Sequence, residues 1–255
     1  LNNIGKDGVI AIAEALKSGT SALTSLNLGY NSLGPEGGKA IAKALEVNSV
    51  LTEINLSWNE LDAEAVKAIA ESLKFNSALT SLDLSHNSIG GYDSDEDESD
   101  EDESDEDEEQ RFVSNISGIE AIAASLSGGI SVLTSLDLSY NSMGPEAGKA
   151  IAKALEVDAV LKSINLRHNH LGTESWCTIF RALRDNKDNK IESWDLSSQG
   201  INVEIVKALV EYISVSSVLK TLILERNRIG NDGAIAIAEA LKLGTSVLTN
   251  LNLHW

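Results

Sequence analysis

The chain has 255 residues, 42% of them hydrophobic, enough to bury a sizeable core. Its formal net charge is −19, of which residues 93–109 supply −14, leaving only −5 elsewhere. No basic field is present to attract nucleic acid. The single cysteine, Cys177, excludes an internal disulfide framework and fits a reducing compartment. No apolar run approaches the ~18 to 20 residues of a membrane span, and no signal-peptide pattern opens the chain. The expected setting is therefore the cytoplasm, with the nucleus as the alternative, and neither a membrane nor nucleic acid is an expected partner.

Residues 1–22, "LNNIGKDGVIAIAEALKSGTSA", pattern as a helix-bearing half-unit. From Leu23 the stretch "LTSLNLGYNSLGPEGGKAIAKALEVNSV" forms a complete unit. It returns at Leu51, Leu79, Leu133, Leu161, Ile191, Leu219 and Leu248, at spacings of 28, 28, 54, 28, 30, 28 and 29 residues. Such a period is the signature of a repeat architecture. Each unit has two periodicities. In "LTSLNL", Leu26 and Leu28 share one side of a short strand and Ser25 and Asn27 the other. In "PEGGKAIAKAL", Gly37, Ala40, Ile41, Ala44 and Leu45 form an apolar helical stripe facing that strand. Eight short parallel strands are expected to begin near the recurrence points. Pro35 suits a first helical turn, and Asp62, Thr173 and Asp232 are expected N-caps. Asn31, Asn59, Asn87, Asn141, Asn169 and Asn227 recur where the strand turns away, an expected ladder bonding neighbouring backbone groups. Gln199 breaks that series, so a local irregularity is expected there.

The long spacing after Leu79 is an acidic insertion with fourteen Asp and Glu between Asp93 and Glu109. A run that repels itself and buries nothing is expected to be disordered, over residues 92–114. The helix of that unit should resume near Gly118. "SDED" occurs three times, at Ser94, Ser99 and Ser104, and resembles acceptor sites of casein kinase 2; phosphate there would add about −1.5 to −2 charge per site.

Farther along, "HNH" places His168 and His170 close together, but two imidazoles fall short of the four ligands a structural zinc site wants, so no metal is expected. Cys177 aligns with Lys39, a position expected to be exposed. "WCTIFRALRDNKDNK" carries Trp176 and Phe180 where other helices have small residues, consistent with local repacking around a two-residue insertion. The chain begins and ends within a unit, which predicts a longer protein.

These residues resemble the leucine-rich repeat pattern L-x-x-L-x-L-x-x-N-x-L in its 28/29-residue, ribonuclease-inhibitor-like form. "LTSLDLSxNSxG" followed by "AIAxAL" is most similar to the repeat regions of NOD-like receptors and their protist and algal relatives. The resemblance implies an α/β solenoid: a curved horseshoe with parallel strands on the concave face and helices on the convex face, spanning residues 1–255 around the acidic insertion. It also implies a binding surface.

Side chains alternating with the core leucines would line the concave face, bringing Asp83 beside Asp137 with no nucleophile or phosphate loop to accompany them. At the strand ends stand Tyr30, Trp58, His86, Tyr140, His168, Ser198, Arg226 and Trp255, expected to stack between successive units. Tyr, Trp and Arg also suit binding anchors. Arg167, Arg226, Arg228 and an exposed Ile223 depart from the template in the later units. The expected function is non-catalytic recognition of another protein, without cofactor, through Tyr30, Trp58, His86, Tyr140, His168, Arg167, Arg226 and Arg228. The acidic loop, with a ~25 to 30 Å random-coil span, would reach this rim and compete with an acidic partner. A second reading is an activator of a small GTPase, by resemblance to Ran GTPase-activating protein. A third is a polyanionic chaperone that holds basic proteins through the acidic loop.

Overall fold

A computed structural model of the chain describes residues 2–90, 115–243 and 246–254. The acidic run with Ser94, Ser99 and Ser104, and also Trp255, lie outside the described residues. Helix and strand alternate throughout: α1 (Gly5–Lys17), β1 (Ser25–Asn27), α2 (Gly34–Leu45), β2 (Glu53–Asn55), α3 (Ala63–Ser72), β3 (Ser81–Asp83), α4 (Ser117–Ser127) and β4 (Ser135–Asp137). They continue as α5 (Pro145–Leu155), β5 (Ser163–Asn165), α6 (Gly172–Asp185), β6 (Ser193–Asp195), α7 (Val203–Val215), β7 (Thr221–Ile223), α8 (Gly230–Lys242) and β8 (Asn250–Asn252). All paired strands are parallel, and each helix packs on its sequence neighbours. This is a leucine-rich repeat solenoid with strands on one face and helices on the other.

The strands begin two residues later than the repeat's leading leucine suggests. In the second unit the backbone N–H of Leu51 is taken by Asn48 Oδ1 at 2.8 Å, so it is not available to a ladder. Asn76 does the same for Leu79 at 2.7 Å, and its amide also bonds the carbonyls of Leu45 and Asn48. Buried polar side chains thus satisfy the helix ends, which otherwise leave orphan carbonyls.

The core is one continuous apolar strip between strands and helices, built from Leu28, Leu56, Leu84, Leu138, Leu166, Leu196 and Leu224 on the strand side and residues such as Ile41, Ile69, Ile151 and Ile179 on the helix side. Small residues let the helices approach closely. A Cβ on Gly38 would lie 2.8 Å from Ala65 Cβ, and one on Gly148 would lie 2.5 Å from Ser175 Cβ. In α6 the equivalent of both is Trp176. Its ring and that of Phe180 meet Trp194 of β6 edge-on, at centroid distances of 6.1 and 6.0 Å, and Tyr212 stacks on Phe180 at 6.4 Å. All four are buried, so the aromatic residues of α6 repack the interior as expected.

The sheet divides at this point. Strands β1 to β5 form one sheet and β6 to β8 another. Elsewhere two lateral bonds recur beyond each strand, such as Leu138 N–H to Asn165 O at 2.9 Å and Tyr140 N–H to Arg167 O at 3.0 Å. Between β5 and β6 neither counterpart forms, and Glu192 N–H to Lys162 O at 3.0 Å remains. The asparagine ladder stops at the same place. Asn31, Asn59, Asn87 and Asn141 each donate their N–H to the next unit's asparagine Oδ1 at 3.0 to 3.1 Å. Gln199 instead turns its amide to Ser197 O at 3.0 Å, while its own N–H meets Asn227 Oδ1. The irregularity expected at Gln199 is therefore present, and it is a break between two sheets.

Three expectations need correction. Asp62 caps α3 by accepting from Ala65 N–H at 2.8 Å, but Thr173 and Asp232 lie inside the first turns of α6 and α8 rather than capping them. Asn202, which the sequence reading passed over, caps α7 by accepting from Glu204 and Ile205 N–H. Cys177 is buried rather than exposed, its Sγ 3.9 Å from Glu204 O. Burial pushes its thiol pKa up, so the thiolate that reactivity needs is disfavoured. Ile223 is half-buried rather than exposed, because it is flanked in register by Asp195 and Asn252.

Candidate functional site

Each strand ends in a tight turn whose first residue adopts left-handed backbone: φ is 63° at Tyr30, 57° at Trp58, 52° at His86, 55° at Tyr140 and 53° at His168. Non-glycine residues avoid that region unless the surroundings hold them there. The turns from Tyr30 to Tyr140 are tied to the next unit by their own N–H groups. Trp58 N–H donates to Ser85 O at 3.1 Å, and the adjoining Asn59 amide donates to Leu28 O at 2.9 Å and Ser57 O at 3.0 Å. Repeated once per unit, this turn projects one side chain to the same rim at every step.

The result is a continuous stack of five rings. Tyr30 lies 4.6 Å from Trp58, Trp58 is 3.9 Å from His86, His86 is 3.9 Å from Tyr140, and Tyr140 is 4.0 Å from His168. The interplanar angles are 13 to 22°, near parallel. Stacking between units, expected from the sequence, is thus present from Tyr30 to His168. The outer edges remain open: Tyr30 is 50% exposed, and Trp58 and Tyr140 are 43% exposed. Desolvation by the flanking rings holds the pKa of His86 below the ordinary histidine value, against the pull of Asp137 and Asp83. His168 is lowered too, by desolvation first and by the Arg167 charge second. Both shifts favour the neutral imidazole.

Beside the stack, on the strand face, the second outward column carries Asn and Asp. Asp83 and Asp137 are register partners. Each turns one carboxylate oxygen back onto its own chain: Asp83 Oδ1 accepts from Ser85 N–H and Oγ at 2.9 and 2.7 Å, and Asp137 Oδ1 from Ser139 at 2.9 and 2.6 Å. The other oxygens accept from flanking amides, Asn55 Nδ2 at 2.6 Å and Asn165 Nδ2 at 2.9 Å. This is a turn-fastening arrangement in which each carboxylate is already engaged. Among the described residues no three His, Cys, Asp or Glu cluster as metal ligands would.

Past the sheet break the column changes character. Ser198 and Arg226 follow His168, with φ of 57° and 52°. Arg226 is 69% exposed, with Nε 3.6 Å from Glu225. Arg228 is exposed. Arg167 behaves differently: its Nη1 donates to Asp195 Oδ2 at 2.6 Å across the break, half-buried on the strand face. That pair was not anticipated; it joins Arg167 to the residue two before its own equivalent, Ser197, in a unit of 30 residues. A shallow hollow of about 240 Å³ opens nearby, lined by Ser135, Asp137, Ser163, Asn165, Ser193 and Asp195. His170 lies outside the stack, its N–H donating to Met143 O at 2.8 Å.

Residues 22–42, 47–70, 75–91, 130–152 and 215–238 match the sequence profile described as leucine rich repeat. No curated protein matches this chain. Among solved structures, actin-binding site 2 of leiomodin-1 is 24% identical, covering 69% of this chain and 87% of that one, with a TM-score of 0.52. The tropomodulin C-terminal domain of Caenorhabditis elegans is 11% identical over 70% of this chain and 92% of that one, with a TM-score of 0.51. The leucine-rich repeat-containing protein LegL7 from Legionella pneumophila is 19% identical over 95% of this chain and 69% of that one, with a TM-score of 0.55. At such identities the likeness is one of fold alone. Among the described residues no helix is long and apolar enough to cross a membrane. The recurring strand and helix, the asparagine ladder and the matched segments together give this chain a leucine-rich repeat fold.

Proposed function

We propose that this protein is a non-catalytic scaffold that recognises another protein through its strand-end rim and the adjoining strand face. The observation that carries the reading is the exposed five-ring stack, held in place by left-handed turns. Rings already immobilised by their neighbours lose little further freedom on binding, and aromatic and arginine side chains dominate interface energetics. Exposed Arg226 and Arg228 at the end of the column favour an acidic partner surface. A helix in every unit and a period near 28 residues favour the ribonuclease-inhibitor-like type, as in NOD-like receptor repeat regions. The leiomodin-1 structure, named as an actin-binding site, is one instance of this fold serving protein recognition. The acidic run, residues 93–109, is proposed as an electrostatic competitor for the same rim.

Panning a random-peptide library against the protein supplies a measurable ligand. Trp58→Ala and Arg226→Ala should each weaken a selected peptide by ~1 kcal/mol or more, as anchors commonly do. Lys39→Ala and Lys43→Ala, on α2 of the helix face, should leave affinity unchanged. Equal losses on both faces would refute the rim reading.

A further inference from the structure

The ring column has one step without a ring. Five successive positions carry Tyr30, Trp58, His86, Tyr140 and His168; the next carries Ser198, and the one after carries Arg226. Ser198 is exposed, and its φ of 57° falls within the range of the ring-bearing positions, so the backbone presents its side chain as it does theirs. One face of His168 is covered by Tyr140, at 4.0 Å and 15°. Among the described residues no ring stacks on its opposite face, and the next position in the column carries the short side chain of Ser198. Residues 168 and 226 are two units apart, roughly 10 Å at the usual strand spacing. That leaves room for one planar group between the imidazole and the guanidinium. Two lateral bonds that draw other units together are absent across β5 and β6, where Glu192 N–H to Lys162 O and the Arg167–Asp195 pair are the remaining strand-side ties described.

We propose that the step at Ser198 accepts an aromatic side chain from an acidic segment of the partner protein, which completes the stack between His168 and Arg226. The inference rests on the rim reading above and specifies its partner. Stacking on His168 and a cation–π contact with Arg226 both select a planar π-system rather than an aliphatic group. Neighbouring carboxylates on the partner suit the local charge. Arg226 and Arg228 are exposed, and Arg167 is tied to Asp195 at 2.6 Å. Of the nearby carboxylates of this chain, Asp195 is paired with Arg167, and Glu225 lies 3.6 Å from Arg226 and 3.8 Å from His254.

The test uses the full chain with carbon-13-labelled histidine, titrated with the capped peptide Asp-Tyr-Glu and watched by NMR. A saturable upfield ring-current shift is expected at the His168 ring protons, with a much smaller one at His86. Ser198→Trp, which supplies the missing ring from within, should abolish the shift; Ser198→Ala should keep it. Arg226→Gln should weaken binding about tenfold, the scale of a lost cation–π contact with its ion pairing, and Asp-Leu-Glu should bind at least that much more weakly. Since Ser198→Trp could misfold, Ser198→Tyr and Arg226→Gln provide independent variants, each checked by its thermal transition. The proposal is overturned if no saturable shift occurs at His168, or if the shift survives both ring-bearing substitutions. Loss of library-selected peptides on Trp58→Ala, but not on Ser198→Trp, would leave the rim reading standing and remove this inference. Indifference to all of these changes would remove both.

Discussion

Strands β1 to β5 and strands β6 to β8 are built from the same repeat, yet they differ in how they are tied. In the first group every turn asparagine bonds its neighbour, threonine hydroxyls of Thr52, Thr80 and Thr134 reach the preceding unit's carbonyl at 3.0 to 3.1 Å, and the rim is a closed stack of rings. At the junction the threonine position holds Lys162, Glu192 and Lys220, the asparagine is Gln199, and the ring is Ser198. Four buried aromatics fill the interior behind the missing ties. A repeat protein is approximately a chain of nearest-neighbour interfaces. The comparison teaches that one such interface can exchange backbone and amide bonds for aromatic packing while the helices stay continuous.

The strongest way to break that comparison is at the packing itself. Phe180 is fully buried where other helices carry alanine, such as Ala42 and Ala152. Phe180→Ala restores the repeat's own residue, yet it should destabilise by about 3 to 5 kcal/mol, because Trp176, Trp194 and Tyr212 cannot close the cavity. Urea denaturation measures the loss. A near-neutral result would mean that the aromatic cluster does not replace the missing ties.

Next in size is the opposite group's ladder. Asn141 is fully buried and donates to the carbonyls of Leu84, Leu138 and Ser139 while accepting from Asn87 N–H. Asn141→Ala strands these groups and should cost about 2 to 3 kcal/mol, given the penalty for buried unpaired backbone groups. Gln199→Asn should act in the other direction, gaining roughly 1 kcal/mol if the shorter amide brings Oδ1 to Asn169 N–H. Slower amide exchange at residue 169 would mark the repaired rung, and unchanged exchange would show that the aromatic core holds the sheets apart.

The smallest effect concerns a second, helix-end ladder. Asp158 stands where Asn48, Asn76 and Asn186 stand in other units, accepting from Val160 and Leu161 N–H at 3.1 and 2.8 Å. Burial raises its carboxyl pKa above the ordinary aspartate value, against those two bonds. A raised folded-state value means that the native state holds the proton more tightly than the unfolded chain. Stability from this group is therefore present below the unfolded pKa and lost as pH rises through the folded one. Asp158→Asn should remove that acid-side dependence and gain up to about 1 kcal/mol at neutral pH. The histidines run the other way: lowered values at His86 and His168 mean that the stack weakens as pH falls through the unfolded histidine range. Comparing chemical denaturation at pH 5 and 7 in wild type and Asp158→Asn separates the two slopes.

The sequence by itself determined the repeat, the alternation of strand and helix, and the stacking of one ring per unit. Each of these depends on a residue meeting its own equivalent one period away, and translation along the chain preserves that relation. Leu26, Ile54 and Leu82 necessarily share a face once the period is seen, as do Tyr30, Trp58 and His86. The tertiary structure decided what depends on unlike neighbours. Cys177 is buried because α7 covers it, although its equivalent Lys39 is only half-buried. Helix starts shifted at Thr173 and Asp232 because the residues before them were already helical. Trp194, Trp176, Phe180 and Tyr212 met from one strand and two helices, and no single period relates those positions. Their volume, together with the glutamine at 199, sets where one sheet ends and the next begins.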